Sequence, residues 1–192
     1  MNICIFCGSS AGVNPVYAET AVAMGELLAE RGHTLVYGGG RTGLMGLVAD
    51  SCLKAGGTVF GVMPRALVQK EIQHTGLTRL EIVDSMHERK LKMADLSDGF
   101  IALPGGMGTL EEIFEQWTWL MLGIHRKPCA FLNVNFYYDD LKNMIARVVT
   151  DGFMQAHHAD TVLFDDRGDV ILDHFTSYNP PPIKWQEPAK PR

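Results

Sequence analysis

The chain has 192 residues, of which 46% are hydrophobic and 20% are charged, and its net charge is −5 with a pI near 5.8. This composition predicts one soluble globular domain with a full core. The acidic balance argues against a general nucleic-acid-binding surface, and no uncharged apolar run is long enough to span a membrane. Because the N-terminus also lacks a basic segment and a cleavage site, we expect a cytoplasmic protein with no membrane partner.

Apolar strand-like runs alternate with helical patterns along the chain. The predicted strands are Asn2–Cys7, Thr34–Tyr37, Thr58–Val62, Leu80–Val83, Phe100–Leu103, Ala130–Asn133 and Thr161–Phe164. A first helix is predicted from the N-cap Asn14 to a stop at Gly32. The other predicted helices are Leu44–Ala55, Met86–Leu96, Glu111–Leu122, Tyr138–Asp151 and Val170–Phe175.

The repeated order of strand and helix predicts an α/β fold with a parallel sheet and helices on both faces. We expect a single Rossmann-like nucleotide-binding domain over residues 1–178. Five of the nine prolines fall between Pro180 and Pro191, which predicts an extended, Pro-rich tail over 179–192.

Cys4 and Cys7 have the spacing of a redox or zinc motif, but no second pair or His cluster completes a zinc set. In a strand, residues three apart point to opposite faces. We therefore interpret both as ordinary buried cysteines, and we predict neither a metal nor a cofactor.

Three predicted strand ends carry glycine loops, at Gly8-Ser9-Ser10, Gly38–Gly43 and Gly105–Thr109. Ligands bind at such strand ends in parallel sheets. The second loop matches G-x-G-x-x-G, but the acidic residue that would bind a dinucleotide ribose about twenty positions on is missing. Leu44 stands where the Walker lysine would be. A mononucleotide or sugar phosphate therefore fits better than NAD or ATP.

The third loop is the most informative. Its glycines leave backbone N–H groups accessible, and the helix behind it offers unpaired N–H donors and a positive dipole end. This arrangement predicts a phosphate site with Glu111 and Glu112 beside it. The alternative is structural, because Thr109-x-x-Glu112 also fits a helix capping box.

The helix Met86–Leu96 carries two cations in its apolar arc. Helical spacing predicts that Met86, Leu91, Met93, Ala94 and Leu96 form this arc. Arg89 and Lys90 fall inside it, and a buried cation requires a partner. They either meet a ligand phosphate or an active-site carboxylate, or they snorkel from the rim of the arc.

The next helix has a core stripe that leaves Glu112, Glu115 and Trp119 on another face. Trp119 is either a wall for a nucleobase or a residue of the core or of an interface.

Two motifs together resemble those of a known family. Pro104-Gly105-Gly106-Met107-Gly108-Thr109-Leu110-Glu111-Glu112 has the pattern P-G-G-x-G-T-x-x-E, and Met86-His87-Glu88-Arg89-Lys90 has the pattern M-H-x-R-K. With the loops that begin at Phe6 and Tyr37, they closely resemble the LOG ("Lonely Guy") family. Its members are cytokinin riboside 5′-monophosphate phosphoribohydrolases, formerly often labelled possible lysine decarboxylases. No lysine here has a persuasive context for a decarboxylase.

The resemblance implies hydrolysis of the N-glycosidic bond of an N6-substituted adenine ribotide, without a metal or cofactor, by a homodimer. It implies that Arg89 and Glu112 are the catalytic pair. The substrate contacts it implies are Glu71, Arg89, Lys90, Gly106, Met107, Gly108, Thr109, Leu110, Glu111, Glu112 and Thr118. The strand-end loops add candidates for binding phosphate or ribose, namely Gly8, Ser9, Gly39, Gly40 and Gly43.

Two other hypotheses remain open at this point. The first is a nucleotide- or cofactor-binding carrier or sensor of the same fold without hydrolysis. The second is a single-stranded-DNA-binding protein of related fold, which the acidic balance disfavours. A pure binder gains little from a carboxylate beside a phosphate, so the retained Glu112 favours the hydrolase.

Overall fold

The computed structural model describes residues 1–68 and 73–180 of the chain. Two predictions fall outside these residues, wholly or in part. They are the substrate contact of Glu71 and the Pro-rich tail, of which residues 181–192 are not described.

Within the described residues, the chain alternates between strands and helices in the predicted order. The strands are β1 (Asn2–Phe6), β2 (Thr34–Tyr37), β3 (Thr58–Pro64), β4 (Arg79–Val83), β5 (Gly99–Ala102), β6 (Cys129–Leu132) and β7 (Val162–Asp165). The helices are α1 (Pro15–Glu30), α2 (Gly43–Lys54), α3 (Arg65–Val68), α4 (Met86–Leu96), α5 (Met107–Leu122), α6 (Asp139–Thr150), α7 (Ala156–Ala159) and α8 (Gly168–Thr176). A 3-10 turn, Val134–Phe136, follows β6.

The sheet is parallel and has the order β4-β3-β2-β1-β5-β6-β7. The predicted α/β fold is therefore confirmed. β1 lies between β2 and β5, with Ile3 opposite Leu35 on one side and Gly99 on the other. The strand order reverses at this point, so a crevice forms at the carboxyl ends of β1 and β5. No helix of the described residues is long and apolar enough to cross a membrane.

Two cores cover the two faces of the sheet. On one face, α1, α2 and α8 pack over side chains such as Ile3 and Leu35. On the other face, α4, α5 and α6 pack over Phe100 and Phe131. Cys4 and Cys7 lie in opposite cores, and all four cysteines are buried and free, which confirms the interpretation of the Cys-x-x-Cys pair.

The structure corrects the start of one predicted helix. α5 begins at Met107, not at Glu111, and Gly106 is its N-cap residue. Glycine disfavours a helix interior, but in the first turn the N–H groups have no helical partner in any case, so Gly108 is tolerated there. The capping-box alternative is wrong, since Thr109 lies inside α5 and Glu112 lies one turn beyond its start.

Three short elements were not predicted, namely α3, the 3-10 turn and α7. Each has three or four residues, which is too short for hydrophobic periodicity to indicate a helix.

Candidate active site

The loop after β5 packs closely against the loop after β1. The Gly8 N–H donates to the Pro104 carbonyl at 3.1 Å. A Cβ atom at Gly105 would lie 2.1 Å from Thr109 Oγ1 and 2.8 Å from the Gly8 nitrogen. Only glycine fits at Gly105, and the buried Thr109 side chain supports it from inside α5.

The amino end of α5 is open to solvent. Gly106, Met107 and Gly108 are exposed, and apart from adjacent residues and the backbone of α5 no described atom lies within 4 Å of a Cβ added at Gly106 or Gly108. The N–H groups of this first turn have no partner within the helix. They and the helix dipole therefore form a surface suited to an anion.

A cavity of about 340 Å³ lies beside this helix end. The cavity lies between the two predicted glycine loops that follow β1 and β5. Its lining comprises Gly8, Ser9, Ser10, Ala11, Gly12, Tyr17, Leu44, Pro104, Gly105, Gly106 and Tyr137.

The glycines after β2 have other partners. The Gly39 carbonyl accepts from the His74 N–H at 2.8 Å, and Gly40 forms an antiparallel bridge with Gln73. Gly43 has a φ of 60°, and a Cβ there would lie 2.3 Å from the backbone of Ser9. These three glycines therefore fix the conformation of loops near the crevice, and they do not line the 340 Å³ cavity.

Arg89 and Glu112 form an ion pair between α4 and α5. Arg89 Nη1 lies 3.1 Å from Glu112 Oε1, and the two side chains are only 11% and 12% exposed. Arg89 Nε also donates to the Val62 carbonyl at 3.1 Å. The guanidinium thus bridges β3 and the carboxylate through two different nitrogens of its planar fork.

Gly38, at the end of β2, makes room for this guanidinium. A Cβ at Gly38 would lie 1.9 Å from Arg89 Nη2. The first glycine of the G-x-G-x-x-G match is therefore needed for Arg89 and not for a dinucleotide turn.

Lys90 is equally buried, with 10% of its side chain exposed. Its Nζ atom donates to Glu111 Oε1 at 2.5 Å and to Glu115 Oε1 at 3.0 Å. Burial lowers the pKa of Lys90, but the two hydrogen bonds outweigh it and raise the pKa overall. Both cations thus meet carboxylates of α5, as one of the two interpretations predicted, and the snorkelling alternative is wrong.

Burial dominates the electrostatics of Glu112. Removal from water raises the pKa of its carboxyl group, although the positive charges of Arg89 and Lys90 oppose this and Glu111 and Glu115 add to it. Burial, followed by the Glu112 charge, also raises the pKa of the Cys7 thiol at the end of β1. The Glu112 charge therefore acts on Cys7, the residue that follows β1.

The predicted apolar arc of α4 is only partly correct. Met93 and Ala94 are buried, but Met86 and Leu91 are 45% and 52% exposed. Burial of the two cations takes up part of the arc, and the helix tilts Met86 and Leu91 to the surface.

Three predicted positions on α5 have other surroundings. Thr118 is exposed, and its hydroxyl donates to the Phe114 carbonyl of its own helix at 2.7 Å. It lies six residues beyond Glu112, about 9 Å along the helix axis. Leu110 and Trp119 pack against the edge of the second core, so Trp119 is a core residue rather than a wall of the cavity.

Sequence reasoning placed Glu115 on the face of Glu112 and Gly38 in the G-x-G-x-x-G match, but it did not predict their contacts with Lys90 and Arg89, and it gave no role to Tyr137. Glu115 follows Glu111 by four residues, so its position on the same helix face was a usable signal. The contacts of Gly38 and Tyr137 join distant parts of the chain and leave no local pattern. Among the described residues, no group of three His, Cys, Asp or Glu side chains could hold a metal.

Comparisons with known proteins show the family to which the chain belongs. The family described as "Possible lysine decarboxylase" matches residues 45–175. A rice protein (Oryza sativa subsp. japonica) named probable cytokinin riboside 5′-monophosphate phosphoribohydrolase LOGL1 is 50% identical over 154 residues, covering 80% of this chain and 69% of that protein. The cytokinin riboside 5′-monophosphate phosphoribohydrolase of Rhodococcoides fascians is 47% identical, and the match covers 80% of this chain and 78% of that protein. LOG7 of Arabidopsis thaliana is 44% identical over 93% and 82%.

Solved structures share the fold at low identity. The molybdenum cofactor binding protein of Rippkaea orientalis superposes with a TM-score of 0.70 at 20% identity, covering 92% of this chain and 95% of that one. The Moco carrier protein of Chlamydomonas reinhardtii gives 0.69 at 18% identity, over 92% and 97%. The fold is thus shared with carriers, whereas the sequence relatives are phosphoribohydrolases, and we conclude that this chain belongs to the LOG family of cytokinin riboside 5′-monophosphate phosphoribohydrolases.

Proposed function

We propose that the chain hydrolyses the N-glycosidic bond of N6-substituted adenosine 5′-monophosphates to the free base, a cytokinin, and ribose 5-phosphate. The observation that carries this proposal is the position of the Arg89–Glu112 pair one turn beyond the open amino end of α5. Glu112 lies five positions beyond Met107, about 7.5 Å along the helix axis.

The chemistry requires a negatively charged group beside the anomeric carbon, where positive charge develops. Cleavage of the bond to the base passes through an oxocarbenium-like state, which a carboxylate stabilises while it orients the attacking water. Glu112 is the buried carboxylate in the right place, and Arg89 favours its ionised form. One carboxylate and one arginine thus take the place of the carboxylate pair of glycosidases.

The 5′-phosphate binds at the first turn of α5, through the N–H groups of Gly106, Met107 and Gly108. Lys90 supplies a positive charge close by. Of its two carboxylate partners, Glu111 is 55% exposed and Glu115 only 24% exposed. Since exposed ion pairs are weak, Glu111 is the partner that gives way when a phosphate approaches.

The ion pairs of Lys90 also argue against a decarboxylase. A pyridoxal-phosphate lysine must lose its proton to form a Schiff base. Lys90 donates to two carboxylates that favour its protonated form, so its nitrogen is not poised as a nucleophile.

A product assay tests the proposal. The protein is incubated separately with isopentenyladenosine monophosphate and with AMP, and the free base is separated by chromatography. We expect release of base from the prenylated nucleotide, and none from the Glu112→Gln protein under the same conditions. If neither nucleotide yields base, the hydrolase is wrong and a carrier of nucleotides or cofactors is the better interpretation.

We also infer that the chain acts as a homodimer. The support is a set of exposed apolar side chains around the site, Met86 and Leu91 on α4 and Met107 and Ile124 at the two ends of α5. By contrast, Ile113, Trp117 and Leu120 are buried in the core and cannot form the interface. Light scattering should give twice the chain mass for the parent protein and a shift toward monomer for Leu91→Glu.

A further inference from the structure

Three successive carbonyl groups lead into the glycine loop, and each one accepts a hydrogen bond. The Tyr138 hydroxyl donates to the Leu103 carbonyl at 2.6 Å, and the Gly8 N–H donates to the Pro104 carbonyl at 3.1 Å. The Tyr137 hydroxyl donates to the Gly105 carbonyl at 2.7 Å. Two neighbouring tyrosines therefore hold the backbone from which the anion site begins.

The bond from Tyr137 has a geometric consequence for the next residue. In a trans peptide the C=O of one residue and the N–H of the next point in opposite directions. With the Gly105 carbonyl turned toward Tyr137, the Gly106 N–H points away from it. Both residues that flank this peptide are glycines, which allow many backbone conformations, so the local chain does not prevent the peptide from flipping.

The turn that presents Tyr137 is strained. Asn135 and Phe136 have φ values of 52° and 59°, and both are non-glycine residues in the left-handed region. Asparagine tolerates this conformation, but it is unfavourable for an aromatic residue. Phe136 is 77% exposed, so burial of its own ring does not offset the unfavourable backbone conformation.

Aromatic contacts fix the ring of Tyr137 once the turn has formed. Tyr17 meets it edge-on with ring centroids 5.5 Å apart, and Tyr138 does so at 4.9 Å. Asn135 Nδ2 also donates to the Tyr17 hydroxyl at 3.3 Å. The strained turn and these contacts therefore direct the Tyr137 hydroxyl at the Gly105 carbonyl.

We propose that Tyr137 is a positioning residue, which holds the Gly105 carbonyl and thereby directs the Gly106 N–H at the 5′-phosphate of the substrate. The inference rests on the proposed function, since it assigns the phosphate to the first turn of α5. Tyr137 itself need not touch the reacting atoms.

Calorimetric titration of the two reaction products tests the proposal. Ribose 5-phosphate carries the phosphate, and N6-isopentenyladenine does not. For Tyr137→Phe, we expect the Kd of ribose 5-phosphate to rise about tenfold, as for loss of one hydrogen bond to a charged group. The Kd of the free base should stay within about twofold of the parent value. A merely structural role would weaken both ligands together.

Tyr17→Phe is the matched control, because it keeps the ring that contacts Tyr137 and loses only the long hydrogen bond from Asn135, with no bond to Gly105 removed. Its affinity for ribose 5-phosphate should lie much closer to the parent value, and thermal melting checks that both variants are folded. Unchanged affinity in Tyr137→Phe, equal losses for both products, or no binding of ribose 5-phosphate by the parent protein would each overturn the inference. Base release by the parent protein, measured separately, decides the proposed function.

Discussion

Arg89 Nη1 and Glu112 Oε1 lie 3.1 Å apart, and this contact joins two helices that the chain separates by a whole strand. Both side chains are nearly buried, and a single buried charge would be costly to remove from water. Each group therefore compensates the charge of the other. The same contact places the carboxylate one turn beyond the anion-binding end of α5. Both the stability of the site and its proposed chemistry therefore depend on this pair.

Glu112→Gln should lower the rate of base release by at least about a hundredfold, because a neutral amide cannot stabilise a developing positive charge. The amide oxygen can still accept a hydrogen bond from Arg89, so the variant should fold and bind nucleotide. A rate assay beside thermal melting measures both effects. A variant that keeps its activity would show that Glu112 only holds Arg89 in place, and it would contradict a catalytic role for the carboxylate.

Arg89→Lys should lower activity by at least about tenfold, because an ammonium group cannot bond the Val62 carbonyl and the Glu112 carboxylate together in the geometry of a guanidinium. Lys92→Ala removes a cation three residues further along the same helix and is the matched control. We expect it to keep the parent kcat/KM within about twofold, in line with surface substitutions. If Lys92→Ala were the more damaging change, the placement of α4 against the site would be wrong.

Gly38→Ala should inactivate the protein and lower its melting temperature, because a displaced Arg89 leaves the buried Glu112 carboxylate without its partner. The new Cβ would lie 1.9 Å from Arg89 Nη2, at the far end of a long side chain that can move aside. A double-mutant cycle with Arg89→Ala tests this directly. If Gly38 acts through Arg89, adding Gly38→Ala to Arg89→Ala causes little further loss, whereas independent effects would add.

The pH dependence of kcat/KM should report the ionisation of Glu112. Burial raises the pKa of this carboxyl group, so the acid limb should lie above the range of an ordinary glutamate. Lys90→Met removes a charge that lowers this pKa and should move the limb to higher pH. Glu115→Gln removes a charge that raises it and should move the limb the other way. A limb that neither variant moves would mean that another group titrates.

His125 should make the protein sensitive to acid. Burial, together with the nearby Lys127 charge, lowers the pKa of His125 to about 4. The unfolded chain, with the usual value of about 6.5, therefore binds more protons between these two pH values. It follows that stability falls as the pH falls from about 6.5 to about 4.

His125→Asn should reduce this loss, because an Asn side chain does not titrate. Its oxygen can still accept the backbone N–H of Lys127, as His125 Nδ1 does at 3.2 Å. Urea unfolding at a series of pH values measures the effect. The same substitution at the exposed His87 should leave the acid dependence of the parent protein in place.

The sequence by itself determined the order of strands and helices, the parallel sheet and the two motifs of the site. These features depend on residues close together in the chain, through apolar periodicity, helix caps such as Asn14 and glycine turns. Even the two buried cations of α4 could be inferred, because their positions on the helix required a partner.

Only the tertiary structure decided which partners those cations meet and what surrounds them. Periodicity indicates which side chains share a helix face, but not how that face is tilted against its neighbours, so Met86 and Leu91 were wrongly expected in the core. Gly38 makes room for Arg89 across 51 positions of sequence, and Tyr137 holds Gly105 across 32. Such contacts form only when the parallel sheet brings distant strand ends to one edge, and no local pattern in the chain encodes them.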